Sequence, residues 1–337
     1  MTRMIHQANV RVESQWQKEL KQSFTKPELL LEYLGFNPEK FSQDISARSL
    51  FNMRIPHHFA NLMEKNNVND PLFKQVFPSH LEFLTSTEYV ADPLLEQNNS
   101  TPGLLHKYKS RVLIIFKGGC AVNCRYCFRR HFPYADNSVN KQQLLDHLEY
   151  IKQHTQINEV ILSGGDPLMA DDNALYWFIK AVANIAHITR VRIHTRLPVV
   201  IPSRITETLL DVLNQSRFKV IMVLHINHVN EISPELRTVC HKLKQANVTL
   251  LNQAVLLKDV NDTLEAQVNL SEGLFAADIL PYYLHLLDKV TGAMHFDICE
   301  KEAKSLYQKM LEQLPGFLMP KLVREIGGEK SKTPILP

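Results

Sequence analysis

The pattern of apolar and polar positions changes texture near residue 100. Before it, apolar residues recur at helical spacing in Pro27 to Leu34 (PELLLEYL) and His57 to Lys65, broken by Pro- and Asn-rich connections such as NNVNDP and QNNSTPG. This predicts a helical leader that packs against a larger unit. From Arg111 onward, short β-branched runs alternate with amphipathic stretches, as in successive βα units. The candidate strands are RVLIIF from Arg111, EVILSG from Glu159, RVRIHT from Arg190, FKVIMVLHI from Phe218, TLLNQAVLL from Thr249 and ILPYYLHLL from Ile279. The last five start about thirty residues apart, the length of one strand plus a crossover helix. Between and after them, Lys141 to His154, Asn173 to Ala186, Ile205 to Gln215, Pro234 to Ala246, Thr263 to Phe275 and Lys301 to Leu314 show apolar spacing of three and four. Ser203 and the pair Ser233-Pro234 stand as helix start signals. Six such units predict an α/β fold with six parallel strands, either doubly wound or curled into an incomplete barrel. In both, chemistry gathers at the strands' C-terminal ends.

Composition narrows the class without naming a function. At 337 residues, with 45% hydrophobic and 22% charged positions, the chain has ample material for a core, which excludes collagen-like and wholly disordered readings. Basic and acidic residues number 38 and 35, too even a balance for a chain that lives on nucleic acid or an anionic membrane. No run of roughly 18 apolar residues is present, and MTRMIHQANVRVESQWQ lacks the apolar core of a secretion signal, so a cytoplasmic protein is expected. Three of the five cysteines, Cys120, Cys124 and Cys127, fall within KGGCAVNCRYCFRRHF after the first strand. Such clustering in a reducing compartment points to metal ligands rather than disulfides. Thiolates this close suit an iron-sulfur cluster wrapped by one loop, with Gly118 and Gly119 permitting the turn and one iron left open. A zinc site completed by His131 is the alternative; Cys240 and Cys299 are remote.

Cys-x3-Cys-x2-Cys after a first barrel strand resembles the signature of the radical S-adenosylmethionine superfamily. The match continues through SGGDPL, VRIHTRLPVVIPSRI, LHINH, LNQAVLLKDVND, LPYYLHLLDKVTGAMHF and REIGGEKSKTP, which together resemble the lysine 2,3-aminomutase family over residues from about 100 to 333. Within that family, KGGCAVNCRYCFRRHFPY and the short C-terminus look most like the branch that supplies β-lysine for modification of elongation factor P. The resemblance implies a partial (β/α)6 barrel over residues 101–315, preceded by the helical region 1–100 and followed by a cofactor-binding tail, 316–337. It also implies a [4Fe-4S] cluster on Cys120, Cys124 and Cys127, S-adenosyl-L-methionine on the open iron, and pyridoxal 5'-phosphate held by Lys332, with Lys330 as the nearby competitor. Ser163, Gly164, Gly165, Asp166, Arg196, His225 and Gln253 are the implied contacts to S-adenosylmethionine; His194, Thr195 and Asn252 lie among them. Lys107 and Arg111 match the family's basic pair for the cofactor phosphate, and one is lysine here where longer members have arginine. Arg129 would hold the substrate's α-carboxylate bidentately, while Asp288 and Glu325 would receive a side-chain ammonium. Glu325 stands where longer lysine enzymes have aspartate, and their C-terminal extension, with its metal-linked dimer contacts, has no counterpart here.

The expected activity is therefore an isomerase: a lysine 2,3-aminomutase converting L-lysine to (R)-β-lysine, with elongation factor P and its lysyl ligase as pathway partners and neither membrane nor nucleic acid as a direct partner. One rival is a family member making another β-amino acid, with glutamate as a candidate substrate, against which two acids facing an anionic side chain argue. A second is a non-catalytic zinc module binding nucleic acid through KYKSR and FRRH, with Arg129 and Arg130 as a solvated basic patch.

Overall fold

The computed structural model describes residues 13–97, 101–134, 137 and 139–336. Residues 1–12, on which the expectation of no secretion signal partly falls, and residues 98–100 of the QNNSTPG connection lie outside the described residues. Strands β1 (Leu104–Tyr108), β2 (Arg111–Lys117), β3 (Glu159–Gly164), β4 (Arg190–Thr195), β5 (Lys219–Leu224), β6 (Thr249–Val255), β7 (Leu280–His285), β8 (Lys321–Arg324) and β9 (Thr333–Pro334) form one sheet in that order. From β2 to β8 every pairing is parallel, and β1 and β9 add antiparallel edges. A doubly wound sheet reverses its strand order at a switch point, so the unbroken consecutive order selects the barrel. No ladder joins β1 to β9 among the described residues, which leaves the barrel partial.

All six expected strands are present. The short strands β1, β8 and β9 are additions: the four residues of β8 are too few to display alternation, and the proline in β9 is tolerated because it sits on an edge. Helices α1 (Gln15–Lys21), α2 (Pro27–Tyr33), α3 (Ser42–Ser46), α4 (His57–Asn61) and α5 (Pro71–Val76) make up the leader; α6 (Lys141–Gln153), α7 (Asp172–Ala183), α8 (Leu197–Val200), α9 (Glu207–Asn214), α10 (Pro234–Gln245), α11 (Leu264–Phe275) and α12 (Glu300–Gln313) follow. Ser233 caps α10 as expected, its hydroxyl accepting from the Leu236 amide. Ser203 does not cap α9. Thr206 does, accepting from the Leu209 amide, while the Ser203 hydroxyl donates to Glu19 on α1.

Alternation along the strands divides the molecule into two environments. Val160 and Leu162, Val191 and Ile193, and Met222 and Leu224 pack outward under the helices. The intervening positions carry Ser163, Arg192, His194, Gln253, Tyr283 and His285 to the inner face, with His225 just beyond β5 and Glu325 just beyond β8. The outer core also takes in Trp16, Leu30, Leu31 and Phe73 of the leader and Ile335 of the tail, so leader, barrel and tail share one hydrophobic body. No described helix is long and apolar enough to cross a membrane.

Because the core is shared, Leu31→Ala should cost about 2 to 5 kcal/mol and still give a single transition. Urea unfolding followed by circular dichroism and tryptophan fluorescence checks this; a separate early transition would mean that the leader folds as an independent unit.

Candidate active site

The loop after β2 carries the three cysteines, all half-buried. Burial pushes the Cys127 thiol up to about 11 and the Cys120 thiol well above its usual value, and the neighbouring thiols add to both shifts. Three thiolates in that enclosure repel one another unless a multivalent cationic body sits among them, which is what an iron-sulfur cluster provides. Among the described residues no three His, Cys, Asp or Glu side chains converge on a single ion. His131 is exposed with Nε2 3.2 Å from the Thr291 carbonyl, so it does not complete a zinc site. Cys240 is buried inside α10, and Cys299 is exposed at the start of α12.

The β3 loop lies against this one, backbone on backbone. A Cβ on Gly164, whose φ is +122°, would overlap the Lys117 carbonyl, and one on Gly165 would come within 2.6 Å of the Gly119 carbonyl. The glycines are thus required for the two loops to touch, a closer constraint than approach to a ligand. Asp166 donates its amide to the Gly119 carbonyl at 2.9 Å. Its carboxylate accepts from the Leu168 amide, the Thr195 hydroxyl and the amides of Arg196 and Leu197, at 2.7 to 3.0 Å. Both oxygens are therefore engaged in tying the end of β3 to the end of β4. Asn252 is similarly engaged, exchanging hydrogen bonds of 2.9 Å with the Ile226 backbone.

Arg196 reaches the cysteine loop directly. Its Nη1 lies 2.7 Å from Cys124 Sγ and 2.7 Å from the Tyr126 hydroxyl, and its Nη2 donates to Gln75 and Glu231. His225 stacks on Tyr126 with Nε2 2.8 Å from the same hydroxyl; burial, with Arg196 adding, depresses its basicity to about 3, so the ring is neutral. Gln253 is half-buried on the inner face of β6.

A second charged group lies beside the β3 loop. Arg129 and Arg130 are buried and paired with acids, which removes the solvated basic patch. Arg129 directs Nε to Glu96 at 2.8 Å and Nη1 to Ser163 Oγ and the Gly164 carbonyl, at 3.3 and 3.1 Å. Its Nη2 meets no acceptor among the described residues. The other oxygen of Glu96 holds Lys107 at 2.8 Å, and Lys107 is also 4.0 Å from Glu325. Arg111 lies 3.8 Å over the Tyr108 ring, whose hydroxyl donates to Glu325 at 3.4 Å.

Lys332 is not a solvated tail residue. The β8–β9 ladder and the Ile335 amide bonded to the Leu322 carbonyl fold the tail back onto the sheet. Lys332 Nζ thereby meets Glu325 and sits 5.6 Å over the Tyr283 ring, while Lys330 is exposed. His194 Nε2 and Asp288 Oδ1, both close enough to feel this amine's charge, are buried without partners, as is Nε of Arg192, whose guanidinium otherwise pairs with Glu159. Burial, then the Glu325 charge, pushes Asp288 up to about 7, while Lys332 opposes the shift. Burial also holds His194 and His285 far below the usual histidine range, and the nearby cations deepen the shift. Neutral rings, orphaned polar atoms and a half-buried amine fit a polar, partly anionic organic group.

Sequence reasoning missed Glu96, Gln75, Glu231 and Tyr126. The first two lie in the leader, and no local spacing marks any of the four. The Radical SAM superfamily pattern matches residues 114–262. The L-lysine 2,3-aminomutases of Escherichia coli strain K12 and Haemophilus influenzae are 50% and 52% identical, over 95% and 96% of this chain and 94% and 96% of theirs. That of Clostridium subterminale is 32% identical over 96% of this chain and 78% of its own. A partial barrel with a three-cysteine loop at its rim defines a radical S-adenosylmethionine enzyme, whose class works with a [4Fe-4S] cluster and S-adenosylmethionine. Within that class the chain belongs to the L-lysine 2,3-aminomutase family, and it is an isomerase.

Glu96 yields a pH-dependent prediction. Burial pushes its carboxyl up, but Arg129 and Lys107 prevail and hold it at about 2. A depressed acid contributes stability above its unfolded value near 4.5 and loses it as pH falls toward 2. Glu96→Gln should therefore be less stable than the parent by about 3 kcal/mol at pH 7, and the gap should close between pH 4.5 and 2. Urea unfolding across that range measures it.

Proposed function

We propose that the chain converts L-α-lysine to (R)-β-lysine with pyridoxal 5'-phosphate held at Lys332, and that the product feeds the modification of elongation factor P through a separate lysyl ligase. The observation that carries the substrate reading is the pair of carboxylates beside Lys332: Asp288 has a buried, unpartnered oxygen, and Glu325 bonds to the amine itself. Two acids facing the site favour a second ammonium and disfavour glutamate. The destination in elongation factor P is supported by the KGGCAVNCRYCFRRHFPY block, and the cytoplasmic location by clustered cysteines suited to a reducing compartment.

When bound, the cluster with S-adenosylmethionine supplies a radical that removes a hydrogen from an unactivated carbon, and pyridoxal phosphate lets the amino nitrogen move between adjacent carbons. The chain's own residues do the rest. Cys120, Cys124 and Cys127 are the cluster ligands, with Arg196, His225, Gln253 and the Ser163–Asp166 loop beside them for S-adenosylmethionine. Arg129, fixed in rotation by Glu96, Ser163 and Gly164, presents Nη2 to the α-carboxylate. That single edge is a narrower grip than the expected bidentate fork. Lys107 and Arg111 would hold the phosphate. Glu325, relieved of Lys332 when that amine holds the cofactor, joins Asp288 in receiving the ε-ammonium. His194 and His285 stay neutral inside the barrel and exclude water without adding charge.

Anaerobically reconstituted protein given L-lysine, both organic cofactors and a reductant should form β-lysine, resolved from α-lysine by chromatography. Lys332→Ala should abolish product and Lys330→Ala should not; a reversed pair would overturn the assignment. The pH profile gives a second check. Asp288 is protonated below about pH 7, and only its carboxylate pairs with the ammonium, so KM for lysine should rise about tenfold per unit below that pH and level off above it. Asp288→Asn should raise KM and flatten the profile.

A further inference from the structure

Besides the barrel contacts through Asp166 and Arg196, the helical leader holds the cysteine loop. The Asn123 amide donates to the Arg54 carbonyl at 3.1 Å, the Arg125 amide to the Gln75 carbonyl at 2.9 Å, and Arg54 Nη1 to the Cys120 carbonyl at 3.1 Å. Deeper in, Glu82 stands in the 3-10 turn His80–Phe83. Its Oε1 accepts from Arg125 Nε at 2.7 Å, and its Oε2 from Arg125 Nη2 at 2.6 Å and Arg130 Nη2 at 2.7 Å. All three side chains are fully enclosed. Arg130 Nη1 returns to the Arg125 carbonyl and to that of Gly292, each at 3.0 Å. A Cβ on Gly292, whose φ is +87°, would come within 2.8 Å of that nitrogen. Arg125 follows Cys124 directly, and Arg130 lies three residues past Cys127. One carboxylate therefore grips the chain on both sides of Cys127.

We propose that Glu82 is a positioning residue for the iron-sulfur cluster: through Arg125 and Arg130 it fixes the arc from Cys124 to Cys127 and occupies two cations that would otherwise act on the cluster. A four-iron cluster on three thiolates is anionic and gains a further negative charge on reduction, so unneutralised guanidiniums beside it favour the reduced state. Both carboxylate oxygens are needed to hold the two guanidiniums, whereas a glutamine keeps one acceptor and turns an NH2 donor toward the other arginine contacts.

The test uses the full chain, reconstituted anaerobically with iron and sulfide, and reads iron per chain, midpoint potential and the electron paramagnetic resonance spectrum of the reduced cluster. Glu82→Gln should hold less than half the parent's iron, show an altered spectrum and titrate at a higher potential. Glu82→Asp should recover part of each loss. Leu243→Ala, which opens a cavity in the core under α10 away from the loop, should lose stability and keep the parent's iron and potential. If Glu82→Gln does not fold, Arg130→Gln, which leaves the Glu82–Arg125 pair intact, is read in the same way and should lose iron in part. Parental iron and potential in the folded variant, or equal losses in Leu243→Ala, would overturn the proposal. It rests on the three cysteines holding the cluster: iron retained after their combined replacement by alanine would defeat that assignment, whereas iron lost there and kept in Glu82→Gln defeats this inference alone.

Discussion

Glu96 holds Lys107 with one oxygen and Arg129 with the other, each at 2.8 Å, and the polar interior depends on that pairing. Without the acid, the buried Arg129 would face a desolvation cost of several kcal/mol, and the partly exposed Lys107 would be left beside it as an uncompensated like charge. With it, Arg129 is fixed in rotation and Lys107 is turned toward Glu325. The same logic repeats around Arg196, where Glu231 and Gln75 take one side of a guanidinium whose other side faces Cys124. The inner face can carry many charges because Lys107, Arg129, Arg196 and Lys332 each meet a carboxylate, whereas Asp288 keeps a buried oxygen without a partner.

The six central strands and their crossover helices are legible in the sequence because period and length repeat together, and a parallel sheet buried on both faces leaves long apolar runs. The edge strands are not. β9 is two residues held by a ladder that exists only once β8 is in place. The cysteine loop is equally legible, since three soft ligands within eight residues have few other uses. Lys332 was reached through resemblance alone; its burial follows from Ile335 docking in the core, which no local pattern announces. Glu82, Gln75 and Glu96 were invisible for a shared reason. Each is a single polar residue in the leader whose meaning comes from an arginine far along the chain. Gly164 and Gly165 are legible as a glycine pair after a strand, but the backbone they make room for belongs to the loop after β2, which no local pattern shows.

The leader and the barrel divide the work unevenly. The barrel supplies the cysteines and holds their loop through Asp166 and Arg196, and the leader adds an acid, an amide and backbone carbonyls from the other side. A radical enzyme must generate its reactive species beside the substrate and away from water, so sub-ångström play in the cluster loop translates directly into misdirected chemistry.

The sheet's two edges meet without a ladder. Tyr108 on β1 reaches Glu325 beyond β8 at 3.4 Å, and Lys107 approaches the same carboxylate at 4.0 Å. A backbone ladder between those edges would have made the wall continuous, and parting it would mean breaking several cooperative bonds. A zip of side chains parts one bond at a time, each worth about 1 kcal/mol. Among the described residues the two edges are therefore joined through side chains alone, and every strand pair stays intact if Glu325 changes partner. Glu325 is thus both the side chain that spans the two edges and the partner of Lys332, so one carboxylate couples the closing of the wall to the placement of that amine.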